Sequence, residues 1–124
     1  VVAASNCAAH AVERIARSYE DEPMPPGVDG VVGFAHGDGC GFPDLGKLRR
    51  TISGVVDHPN VFAALIIGLD CEANQIEYYF GPQGPQTARF EGMTLQESGG
   101  TLKTVAEARE RIAPLIAAAA REQR

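Results

Sequence analysis

Two hydrophobic periods alternate along this chain. Apolar runs at residues 1–4, 28–35, 62–69 and 89–95 have the length and side-chain types of β-strands. The segment after the first run changes to a helical period. Ala8, Ala11, Val12, Ile15 and Ala16 share one face, opposite Glu13, Arg14, Arg17 and Ser18, with Ser5 or Asn6 available as a cap. Three prolines and three acids in residues 20–27 end that helix in a loop. A second helical period starts near Asp44, carries Leu45, Leu48, Ile52, Val55 and Val56 on one side, and stops before Pro59.

The run at 62–69 is apolar at almost every position, as expected of a central strand covered on both faces. Residues 72–80 read as either a short helix or part of the loop that continues through 81–85. The fourth run leads to Gly99-Gly100 and a last helix, for which Thr104 and Glu107 have capping-box spacing. Pro114 falls well inside that helix and predicts a kink or a break near Ala113. The order βαβαβ(α)βα predicts right-handed crossovers and a three-layer α/β/α, Rossmann-like domain with a mainly parallel sheet of about four strands.

Composition narrows the functional classes. With 124 residues and 44% hydrophobic content the chain makes one α/β domain over residues 1–124 and not two. A net charge of -5 argues against nucleic acid or an anionic membrane surface as a partner. No apolar stretch approaches the roughly 20 residues of a membrane-spanning helix. The three cysteines form no CxxC pair, which argues against a disulfide framework or zinc ribbon and for a reducing, cytoplasmic setting. The chain opens on a stub of its first strand with no initiating Met, and reads as a piece of a longer polypeptide.

Candidate chemistry gathers where strands end. Cys7, Cys40 and Cys71 each follow an apolar run, so parallel strands would bring all three thiols to one edge of the sheet. That edge, outside the carboxyl ends of the strands, is where open α/β sheets bind ligands. Cys7 is either a thiolate favoured by a helix amino end or a small buried residue at a strand–helix junction. The turn His36-Gly37-Asp38-Gly39-Cys40-Gly41 offers an imidazole, a carboxylate and a thiol among three glycines. It suits a soft or borderline metal ion, and a purely structural tight turn is the competing reading. A dinucleotide loop fits poorly, because the spacing is GxGxG rather than GxGxxG.

Asp70-Cys71-Glu72 adds a further thiol and carboxylate, and converging thiolates select iron–sulfur clusters, zinc or copper(I). Residues 97–104, ESGGTLKT, place free backbone N–H groups, hydroxyls and Lys103 at a helix amino end. This is a site for a carboxylate or phosphate, or equally a simple cap.

SNC, HGDGCG, GLDCEANQI and MTLQESGGTLKTV, in this order, resemble the middle domain of the altronate and galactarate dehydratase family, which also includes a sulfolactate sulfo-lyase. The resemblance runs from Ser5 to the last helix, and departs from the family at Asp70 and in the loop 81–86. It implies an iron-dependent lyase that converts a sugar acid to a 2-keto-3-deoxy acid, or eliminates sulfite from sulfolactate. It further implies flanking N-terminal and C-terminal domains, without which the isolated piece is expected to be inactive.

On this reading Cys7, Cys40 and Cys71 bind the iron, as a mononuclear Fe2+ site or as three ligands of an iron–sulfur cluster. His36 is a further ligand or a proton-transfer group, and Glu72 a candidate base. Ser98, Gly99, Gly100, Thr101 and Lys103 hold the carboxylate of the hydroxy-acid substrate. Two other classes stay open, a structural or interaction domain of the same assembly and a small-anion-binding module.

Overall fold

The computed structural model describes residues 1–4, 8–35, 45–68, 79, 89–94 and 101–121. Strands β1 (Val2–Ala3), β2 (Ala63–Gly68) and β3 (Arg89–Thr94) form one sheet in the order β1-β2-β3. Both pairings are parallel, with Val2 opposite Ile66 and Ile66 opposite Gly92. Helices α1 (Ala9–Arg17), α2 (Leu45–Val56) and α3 (Thr101–Arg121) complete the α/β fold.

The period-two alternation of side chains sorts the core into two clusters. Ala3, Leu65, Ile67 and Met93 pack with Val12 and Ile15 of α1 and Ala108 and Ile112 of α3. Residues of the other parity, Val2, Ala4, Ala64 and Ile66, pack with Ile52 and Val56 of α2 and with Tyr79. Five of the six β2 residues are buried, because both faces are covered, and so its sequence shows no polar alternation.

The strand expected at 28–35 is reduced to one parallel bridge, between Phe34 and Val2. Phe34 N–H donates to Val1 O at 2.8 Å, and Ala3 N–H donates to Phe34 O at 3.0 Å. A strand persists only where a neighbour supplies its ladder, and within this segment Phe34 alone is bridged. Gly27, at φ 89, turns the chain before the segment, and Val32 is 79% exposed. Gly33 allows α1 to pass close beneath, since a Cβ there would lie 3.3 Å from Ala16 Cβ and Val12 Cγ1.

Three local expectations are corrected. The N-cap of α1 is Ala8, which makes no side-chain capping bond, rather than Ser5 or Asn6. The last helix starts at Thr101, so Thr104 lies inside its first turn and is buried. Glu107 accepts from Arg111 Nη2 at 3.3 Å one turn along instead of reaching back to a cap. Pro114 does not break α3, which runs unbroken from Thr101 to Arg121. Pro114 is exposed, so the lost bond to the carbonyl four residues earlier falls on the solvent side.

In a polypeptide with Val1 as its first residue, the α-amine donates to Val32 O at 2.8 Å. Burial lowers its pKa from 8.0 to about 6. The unfolded chain then binds more protons than the folded one between those values, so stability rises with pH across that window and is level on either side. Because Val1 is only half-buried, the expected gain is about 1–2 kcal/mol, smaller than the full shift implies. Urea midpoints between pH 5.5 and 8.5 would show it, and acetylation of the amine would remove it.

Candidate functional site

The strand order reverses at β1. Phe34 flanks β1 on one side and β2 on the other, although Phe34 falls between β1 and β2 in the chain. The chain therefore moves outward from β1 and then crosses back over it. Leaving β1, it enters the α1 side through Ala8; beyond β2, Tyr79 belongs to the α2 side. The next described residues after β1 and β2 thus lie on opposite faces, and between strands whose connections leave to opposite faces open α/β sheets bind their ligands, at the carboxyl edge.

The candidate residues attach to this edge by chain position. Cys7 follows Ala4 by three residues, Cys71 follows Gly68 by three, and Cys40 follows Phe34 by six. His36 comes two residues after Phe34, and Glu72 comes directly after Cys71. Cys7, His36, Cys40, Cys71, Glu72, Ser98, Gly99 and Gly100 lie outside the described residues. Thr101 opens α3, and Lys103 is exposed in its first turn, next after the carboxyl end of β3.

Two polar residues of this edge are buried, of which the sequence reading singled out Thr104 as a cap and gave Thr94 no role. Thr94, the last residue of β3, and Thr104, in the first turn of α3, are 2% and 0% exposed. They bracket the connection that holds Ser98, Gly99 and Gly100. A threonine at the end of an otherwise apolar or alternating strand was the available signal, and a β-branched residue in a strand gives it no contrast.

Among the described residues no group of three or more His, Cys, Asp or Glu side chains is arranged to hold a metal. Nor is any described helix long and apolar enough to cross a membrane. The donor types that the sequence puts after the strands, three thiols and an imidazole, suit iron as they suit zinc or copper(I). A groove that the described residues line lies elsewhere, at the amino edge of the sheet, and is mostly apolar.

Comparison with known proteins shows the family of the chain. Residues 1–120 match the family described as D-galactarate dehydratase/altronate hydrolase, second domain. A protein of Escherichia coli (strain K12) named altronate dehydratase is 38% identical over 71 residues, covering 52% of this chain and 14% of that relative's length. No solved structure matches the chain. The match over nearly every residue makes the chain a member of the D-galactarate dehydratase/altronate hydrolase family, as its second domain.

Proposed function

We propose that this chain is one domain of a larger, cytoplasmic, iron-dependent hydro-lyase that dehydrates a sugar acid of the altronate or galactarate kind to a 2-keto-3-deoxy acid. What supports the reading is family membership together with a parallel sheet whose strands precede the three thiols in the chain. Elimination of sulfite from sulfolactate is the same chemistry with another leaving group, and is the alternative substrate class. The flanking domains complete the site, and the isolated piece is inactive on this account.

Cys7, Cys40 and Cys71 would hold the iron, as a mononuclear site or as three ligands of a cluster. Iron bound there would supply Lewis acidity that helps the β-hydroxyl depart. Glu72 takes the proton α to the carboxylate, and His36 passes a proton toward the leaving oxygen. Ser98, Thr101, Lys103 and the backbone N–H groups of Gly99 and Gly100 grip the substrate carboxylate at the amino end of α3, where the helix dipole favours an anion. The enol so formed relaxes to the 2-keto acid.

Steady-state kinetics of the longer polypeptide test these roles, with altronate and galactarate as substrates and appearance of the 2-keto-3-deoxy acid as readout. His36→Ala is expected to lower kcat by about 10²–10⁴-fold. Lys103→Ala is expected to raise KM about tenfold with little change in kcat, the signature of a lost binding contact. Wild-type kinetics in both variants would contradict the assignment, as would a native protein with no activity on either acid.

A further inference from the structure

At the amino edge of the sheet lies an apolar groove of about 640 Å³. One side is the extended segment at 28–34, the other is the start of β2, and Val55, Val56, Leu115 and Ile116 form its walls. The groove sits in line with β1. That strand supplies only Val2 and Ala3 to the sheet, whereas β2 extends three residues further toward the amino edge, to Ala63.

We propose that this groove is the seat of an extended apolar segment that continues β1 upward, namely the residues that precede Val1 in a polypeptide longer than this sequence. The register is the reason. Val2 stands opposite Ile66 on one side and Phe34 on the other. Continued upward, the ladder sets the residue directly before Val1 between Ala64 and Val32, and the one before that between Ala63 and Val31. The bond from Val1 N to Val32 O, 2.8 Å, already has its place in that ladder.

The same alternation assigns the next bonds. The residue directly before Val1 turns its backbone toward β2, donating to Ala63 O and accepting from Leu65 N–H. The second one turns the other way and accepts from Val32 N–H. Leu65 is buried, so a partner for its N–H has particular value.

Side-chain parity gives the chemistry of the occupant. The residue directly before Val1 shares the parity of Val2 and joins the α2 side at Val55 and Val56; the second shares the parity of Val1 and joins the α3 side at Leu115 and Ile116. Both positions take apolar, β-branched residues. The occupant on this proposal is part of the same polypeptide, since the chain is a second domain and its match covers only 14% of the E. coli relative. This inference is independent of the dehydratase reading.

The test compares three chains, one beginning at Val1, one with Val-Val-Val placed directly before it, and one with Val-Val-Asp in the same place. The Val-Val-Val chain is expected to melt at higher temperature and to slow amide exchange at Leu65 and Val32 at least tenfold. The Asp-bearing chain is expected to show neither change, because it would bury a charge against Val55 and Val56. If the chain beginning at Val1 does not fold, recovery of helical circular dichroism by Val-Val-Val alone is the expected result. Equal behaviour of the two extended chains, or no gain from either, would overturn the proposal. So would dimerisation of the unextended chain with protection of the same amides, which would assign the groove to a second copy.

Discussion

Ile66→Ala is expected to destabilise the domain by about 2–5 kcal/mol, a large part of the roughly 5–15 kcal/mol typical of a whole domain. Ile66 is fully buried in the central strand, opposite both Val2 and Gly92. It belongs to the cluster with Val2, Ile52, Val56 and Tyr79, so truncation leaves a cavity among β1, α2 and Tyr79. These neighbours are held by parallel strands and helix packing, and cannot collapse freely into the space. Val32→Ala removes apolar carbon from a side chain that is 79% exposed, and should cost no more than about 0.5 kcal/mol. Urea unfolding of both variants checks the contrast; equal losses would mean that β2 is not the centre of the core.

Arg109→Ala is the second large effect, expected at about 1–2 kcal/mol after allowance for solvent around a side chain that is 35% exposed. Its Nη2 donates to both carboxylate oxygens of Glu22 at 2.9 Å. Nη1 donates to Ser18 O at 3.0 Å and to Ser18 Oγ at 2.9 Å. The guanidinium carbon stands 4.1 Å from the centroid of the Tyr19 ring. One planar fork thus ties α3 to the turn that ends α1, and Tyr19, itself buried, anchors that turn in the core.

Arg109→Lys keeps the charge but cannot reproduce the fork or the stacking, and is expected to recover less than half of the loss. A double-mutant cycle with Glu22→Gln should give a coupling below about 1 kcal/mol, the rest residing in Ser18 and Tyr19. A coupling that accounts for the whole loss would show a simple surface ion pair.

The periodic parts of this fold were legible in the residues. The helical faces of Ala11, Val12 and Ile15 and of Ile52 and Val56 are buried as their spacing predicts. The unbroken apolar run of β2 announces a strand with both faces covered. Whether a segment is a strand also depends on its neighbour, and this the residues do not show. Residues 28–35 look like a strand, yet only Phe34 finds a partner. Helix ends were the other weak point. Thr104 and Glu107 have capping spacing, but the helix starts a turn earlier and Glu107 turns to Arg111 instead.

The candidate site is a set of residue types that follow strands in the chain, most of them outside the described residues, and what the structure adds is parallel pairing with a reversal of strand order at β1. Thr94 was passed over because threonine is ordinary in a strand, and Thr104 was read as a cap although it lies buried inside the first turn of α3. The contact between Arg109 and Glu22 was also invisible, since 87 residues separate its partners.

The central claim is that the strand-end thiols hold iron for sugar-acid dehydration. The most direct measurement is iron per chain in the longer polypeptide after anaerobic reconstitution with ferrous iron, with and without sulfide. It compares the native protein with the triple variant Cys7→Ala, Cys40→Ala, Cys71→Ala, each shown to be folded by circular dichroism. The account predicts stoichiometric iron in the native protein and its loss in the variant; equal iron in the two would contradict it.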